Sequence, residues 1–409
     1  MSSFHAVSLG STHRDECHMG QHSKICRMPN KFHNLLFGSI WIALPLCLNP
    51  VAAQAESRGY VIGWLATASY YTGDVKMGCP DGRNGGVVEM HARELEAIGF
   101  SKKEAVELQK KQRDTDAIVP AYRDKVYNRA RVNGREGSVF TYPDFTPDPN
   151  VELYSGKFAY GFDLTGTPSP SKFEDPETHA PVDNQLWRAM GCINQYRTFP
   201  PQKPMLEDTS WDVFVDNAPA WTIQITGDDL SKDGKVTVTF GRATQHLLRD
   251  ATSGTLRDAT YIVDPASKTH DVLEGEIKGG VLTIKPQHIY LEGELPFYMD
   301  IELDNGHMRI SRQSDGKLIG YMGGFTDWKR YAYMSTARPF QDAAAIEGYH
   351  ALKKMADADP DPSTGQNRKI SATFRWEAVP AYLADSNGNI IAAPDDLVQP
   401  QKVANNSSH

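Results

Sequence analysis

The chain has 409 residues, 40% of them hydrophobic and 23% charged, with a formal net charge of −8. An acidic chain with no basic run lacks the electrostatic footprint of a nucleic-acid binder and the polybasic stretch that holds a protein on anionic lipid. Its length suits two or three compact units at roughly 100–200 residues each.

Residues Leu35 to Leu48 read LLFGSIWIALPLCL, an apolar run long enough for a signal-peptide core and too short to span a bilayer. Lys31 precedes it, and Ala53-Gln54-Ala55 follows as a small-x-small site, so cleavage after Ala55 is expected, with a periplasmic or secreted product. Upstream, residues 1–27 hold Cys17, Cys26 and four histidines, a composition that can bind metal. Met28-Pro-Asn-Lys31 would begin an ordinary signal peptide by itself, which makes Met28 the expected start. Bulky Leu46 before Cys47 argues against a lipid-attachment site. Residues 56–409 keep 39 basic and 49 acidic side chains, a formal charge of −10. No second long apolar segment follows, so no membrane insertion is expected. Only Cys79 and Cys192 lie beyond the signal; in an oxidising compartment one disulfide between them is expected, the rival being a free thiol at Cys79.

Tyr60 to Thr72 is β-branched and aromatic enough for a strand. Val87 to Ile98 reads as an amphipathic helix, Ser101-Lys-Lys-Glu104 as a capping box opening a second, and Tyr122 to Val132 as a third. From Tyr142 to Pro204 the chain is dense in Pro, Asp and Gly, interrupted by a short helix over Asn184 to Tyr196. Period-two alternation then predicts strands at 211–215, 221–225, 235–240, 260–263, 281–284, 298–303, 307–310 and 317–322. Lys232-Asp-Gly234, Lys278-Gly-Gly280, Asp304-Asn-Gly306 and Ser314-Asp-Gly316 carry the chemistry of tight reversals. A helix is expected over Phe340 to Ala358 and an extended segment over Lys369 to Leu383. The expected fold is mainly β: an antiparallel β-sandwich of jelly-roll or lectin type over 206–335, flanked by an α/β, loop-rich portion at 56–205 and a helix, strand and polar tail at 336–409.

Motifs that fix an activity are missing: no Gly-x-Ser-x-Gly, His-Glu-x-x-His, phosphate-binding Gly-rich loop or haem attachment sequence occurs. His91 and Glu94 share a helix face, but His91 falls on the apolar stripe with Val87, Leu95 and Ile98, which favours packing over metal ligation. In PVDNQLWRAMGC, Asp183 stands where a helix N-cap would. A functional reading makes Asp183, Asn184 and Gln185 ligand-binding groups beside Trp187, with Asp163 joining Asp183 around a calcium ion. Tyr321 and Trp328 are candidates for an aromatic platform that stacks on sugar faces. Asp357, Asp359 and Asp361 alternate as in calcium loops, but Pro362 and Arg368 occupy the EF-hand Gly and Glu positions, so that motif fails. Asp385 to Asn389 reads as a turn. Glu274/Glu276 and Glu292/Glu294 are spaced to share a solvated strand face rather than to flank a glycosidic bond.

Gly161-Phe-Asp163, Asp183-Asn-Gln185, Arg188-Ala189 and Gly191-Cys192, with Gly320-Tyr-Met-Gly-Gly324, Asp327-Trp328 and the Ser371-to-Pro380 segment, resemble a pattern in uncharacterised exported bacterial proteins. The resemblance spans about half of the mature chain. It implies a shared extracytoplasmic architecture and supplies no activity; Thr165 departs from the acidic residue that pattern favours, which weakens a calcium loop. The expected function is binding of a glycan or small amphipathic ligand outside the cytoplasm, with no cofactor beyond calcium. A polysaccharide hydrolase or lyase using acidic residues and an accessory subunit of an envelope complex are the alternatives.

Overall fold

A computed structural model describes residues 55–394, apart from 73, 75, 82–86, 116–128, 138, 140, 194–195, 197–210, 212–214, 217, 294–299 and 337–341. The expected signal at 35–48 and the His/Cys tract lie outside the described residues.

Eight antiparallel strands close on themselves: β1 (Glu56–Thr67), β2 (Pro219–Gly227), β3 (Gly234–His246), β4 (Val272–Lys278), β5 (Val281–Leu291), β6 (Ile301–Arg312), β7 (Leu318–Asp327) and β8 (Asn367–Pro380). Each pairs with the next in this order, and β8 returns to β1, with Tyr60 opposite Pro380 and Thr67 opposite Phe374. The fold is therefore a barrel, which corrects the expected sandwich. Alternation along a strand marks its inner and outer face but not whether the sheet's edges meet. The closing strands, β1 and β8, lie outside the stretch 206–335 where the sheet was expected.

Three expected reversals lie in hairpins, Lys232-Asp-Gly234 falling where β2 turns into β3. Gly279 and Gly280 both take positive φ (58° and 79°) between β4 and β5, as a type I′ turn requires, and Gly316 (φ 82°) closes β6 to β7. Asp304-Asn-Gly306 does not reverse the chain. It sits inside β6 as a bulge: the registers with β5 and β7 both shift there, and Asn305 takes φ 48°. Pairing resumes on either side, Leu303 with Ile289 and Met308 with Ile284, so the two strands expected there are one.

Inward residues fill the middle of the barrel. Trp376 of β8 lies across Gly320 of β7, where an added Cβ would fall 2.0 Å from the indole, so only glycine admits the ring. Trp221, Ile223, Phe240, Met322 and Phe374 complete this layer, all buried.

One end of the barrel carries helices α3 (Gln185–Met190), α4 (Trp328–Thr336) and α5 (Asp342–Met355), packed on β8 and on one another. Helices α1 (Val87–Ala97) and α2 (Lys102–Thr115) pair beside α5 around Leu95, Ala105 and Ile346. The capping box forms: the Ser101 amide donates to Glu104 Oε2 (2.9 Å) and the Glu104 amide to Ser101 Oγ (3.3 Å). Of the expected third helix, 122–128 lie outside the described residues, and 130–132 instead pair with 135–137 across Asn133-Gly134, both at positive φ. The segment expected as a strand at 211–215 is helical at its described ends; Trp211 and Val215, i and i+4, both turn to the core. Glu274 and Glu276 are exposed as expected, while Leu273 faces in.

Candidate functional site

The block read as distinctive in the sequence folds into a clasp on the barrel's outer face. Residues 154–184 run against β6, β7 and β8: the Tyr160 ring stacks on Tyr321 (4.9 Å between centroids) and Phe162 on His307 (5.6 Å). Gly323 permits this approach, since a Cβ there would lie 2.7 Å from Phe162. Arg309 reaches out from β6 to Asp175 (3.1 Å), which is fully buried. Burial works against the Asp175 charge, but the Thr178 amide and the Arg309 guanidinium outweigh it and hold the carboxyl below its ordinary range.

Each expected site residue has a place in this clasp or beneath it. Asp183 Oδ2 accepts the amides of Leu164 (2.9 Å) and Thr165 (3.1 Å) and the Thr165 hydroxyl (3.2 Å). Lys172 Nζ lies 3.3 Å from Asp183 and also pairs with Asp163, so an ammonium stands between the two carboxylates considered for calcium. Desolvation opposes the Lys172 charge, yet Asp163 and Asp183 outweigh it and keep its pKa above the ordinary lysine value. Among the described residues no group of three or more His, Cys, Asp or Glu side chains gathers as a metal site. The helix cap is Asn184 rather than Asp183: its Oδ1 accepts the Trp187 amide (3.1 Å), while its Nδ2 donates to the Tyr160 carbonyl (2.9 Å). Gln185 donates its amide to Ser371 Oγ (2.9 Å), whose hydroxyl donates to Asp357 (2.7 Å). Burial raises the Asp357 carboxyl above its ordinary value.

Trp187 is buried against Tyr154 in a satellite core that contains the Cys79–Cys192 disulfide (Cα–Cα 5.8 Å). The disulfide expected from the cysteine count is present. Tyr321 donates its hydroxyl to Glu177 (3.1 Å), and burial drives its pKa far above the ordinary phenol value. Trp328 is 1% exposed, donates to the Asn367 carbonyl (2.8 Å) and meets the Tyr349 ring edge-on. Tyr321 belongs to the outer clasp and Trp328 to the packing of α4 on α5, so they do not form one platform. Asp357, Asp359 and Asp361 also separate, binding Ser371, Arg368 and the Ser363–Thr364 turn in that order.

The cavity that the sequence did not announce lies at the barrel end opposite the helices, where the hairpin turns gather. It measures about 490 Å³, within the roughly 300–1,000 Å³ of small-molecule sites. Its wall is aliphatic: Ile225, Ile277, Leu282, Ile310 and Leu318, with Tyr60. Its rim carries Arg58, Lys232, Asp233 and Arg312. Arg58 shares the inward phase of β1 with Tyr60, and Arg312 that of β6 with Met308 and Ile310. Arg58 is held by Glu56 (2.6 Å), whose other oxygen accepts the Leu230 amide (2.7 Å). Lys232 pairs with Asp229 (2.7 Å). Inward cations at a strand end are the signal that sequence reading could have used: an apolar phase that finishes on arginine.

No protein-family model matches the chain, and no curated protein or solved structure is similar to it. Among the described residues no helix is long and apolar enough to cross a membrane.

Proposed function

We propose that the protein binds a small amphipathic ligand, apolar part inward, in the cavity at the turn end of the barrel. The observation that carries this reading is the pairing of an aliphatic wall with a rim of Arg58, Lys232 and Arg312 around about 490 Å³. Apolar walls supply affinity through surface removed from water, and a few placed polar groups fix orientation. The wall is aliphatic rather than aromatic, which favours an alkyl chain over a sugar, whose faces stack on rings. The rim donors Arg58, Lys232 and Arg312 can orient an anionic head, Arg58 being held in place by Glu56 and Lys232 by Asp229.

The setting is extracytoplasmic: the signal at 35–48 would export the chain, and the Cys79–Cys192 bond suits an oxidising compartment. The resemblance to exported bacterial proteins belongs to the same proposal.

Titration with sodium dodecanoate, followed by calorimetry, tests the reading. Saturable binding at one site is expected, weakened at least about tenfold by Leu318→Trp, which fills the cavity, and weakened with a steeper salt response by Arg312→Glu. Binding that ignores both substitutions, or no binding, would overturn it.

A further inference from the structure

A second cleft, about 420 Å³, lies within the clasp and shares no lining residue with the barrel-end cavity. Its lining includes Lys157, Lys172, Phe173, Glu174, His179 and Arg188. The charges there are matched with one exception. Lys172 is held by Asp163 and Asp183. Glu174 is engaged on one oxygen by Lys157 (2.8 Å) and on the other by His179 (2.9 Å). Arg188 makes no ion pair among the described residues; its donors meet only neutral acceptors. Nε donates to Gln185 Oε1 (3.0 Å), Nη1 to the Tyr154 carbonyl (3.0 Å) and Nη2 to the Ser171 carbonyl (2.7 Å). A guanidinium has five N–H groups, so each Nη nitrogen keeps one hydrogen without an acceptor among the described residues.

This guanidinium is also fixed in place. It lies 4.1 Å from the centroid of the buried Phe173 ring, and its three bonds tie it to α3, to the loop at Tyr154 and to the turn at Ser171. Burial depresses its pKa, as befits a cation whose counter-charge is missing. A half-buried fork held by three hydrogen bonds, with two donors left over, can recognise a planar carboxylate. Lys157, Lys172 and Arg188 stand against Glu174, Asp163 and Asp183, so the neighbourhood carries no net positive charge and disfavours a dianion, while Arg188, bonded only to neutral acceptors, is the cation that a monoanion would meet.

We infer that the Arg188 cleft is a binding site for a monocarboxylate of about monosaccharide size, of which a uronate is the fitting probe. The site does not depend on the barrel-end ligand, and Arg312→Glu should leave it unchanged.

The experiment is calorimetric titration of the full mature protein with sodium D-glucuronate, at constant ionic strength in sodium chloride, with D-glucose and sodium sulfate as comparisons. Saturable glucuronate binding in the millimolar range or tighter is expected, with no heat from glucose and weaker binding of sulfate. Arg188→Lys keeps the charge without the fork and should weaken binding about tenfold; Lys103→Ala, at an exposed charge on α2 outside the cleft, should leave it unchanged. Because Arg188 also ties two loops, its Nε–H resonance in the unsubstituted protein gives a readout independent of folding: it should shift along the glucuronate titration and saturate with the calorimetric constant. An unmoved Arg188 resonance, or sulfate binding as tightly as glucuronate, would overturn the assignment.

Discussion

Replacing Glu347 by glutamine should stabilise the protein, and by an amount that grows with pH. Glu347 sits on α5, fully buried against α1, whose Glu94 is itself 4% exposed. Burial pushes the Glu347 carboxyl from an ordinary 4.5 up to about 8, with the charge of Arg93 pulling less strongly the other way. Between those values the native chain keeps a proton that the unfolded chain releases. Stability is therefore full below pH 4.5, falls as pH rises, and levels off above about 8. At about 1.4 kcal/mol per pH decade, the loss reaches about 3 kcal/mol at pH 7 and about 4 kcal/mol at pH 8. Glutamine stays neutral throughout and can donate its amide hydrogen to Glu94. Urea denaturation of both proteins from pH 4 to pH 9 should show little difference at the acid end and a variant more stable by about 3 kcal/mol at neutrality. The difference between the two proteins cancels other groups that titrate in this range, such as Asp357, raised by burial, and His350, lowered by burial. A difference independent of pH, or a variant less stable at every pH, would refute the reasoning.

Three further outcomes follow from named contacts. Gly320→Ala places a Cβ 2.0 Å from the Trp376 indole and should cost about 1–3 kcal/mol in urea titration, since overpacking forces the ring off its rotamer. Asp183→Asn keeps the shape and one oxygen for the Leu164 and Thr165 amides but removes the charge facing Lys172, which retains Asp163; a loss of about 1–3 kcal/mol is expected, and an unchanged melting temperature would show that the clasp does not depend on this charge. Cys79→Ser with Cys192→Ser opens a link spanning 113 residues and should lower stability by about 2–5 kcal/mol, a loss that dithiothreitol should reproduce in the parent protein and not in the double variant.

Local rules were readable in the sequence wherever neighbouring residues decide the outcome. The Ser101–Glu104 box, the Lys278-Gly-Gly280 hairpin, the alternating strands and the cysteine pair all depend on short-range chemistry or on elimination. Choices settled by distant partners were not readable. Asp304-Asn-Gly306 has the composition of a reversal, but β5 and β7 flank it on both sides and make it a bulge. Asp183 and Asn184 are both competent caps; Lys172 and the 164–165 amides claim the first, which leaves the second to start α3. Barrel closure needs β1 to meet β8, and no local pattern announces it. The barrel-end cavity draws its rim from two strand ends and a turn far apart in sequence, so only the in-phase arginines Arg58 and Arg312 hinted at it. Arg188 was noted only as part of a resembling block; its lack of a counter-charge is a property of the assembled clasp.

The seam between β1 and β8 also sets an order of events for the chain as it is made. Seven of the eight barrel strands can pair with a neighbour already synthesised, but the open edge of β1 waits for residues 367–380. Until then the growing sheet exposes unsatisfied amides and carbonyls along two borders, the feature that invites pairing with other chains. Contacts of such sequence separation also slow folding. A ribosome that stalls before residue 367, or a protease that removes the last strand, would leave an open sheet rather than a shortened barrel. The window of greatest vulnerability for this protein therefore stays open until residues 367–380 have been made.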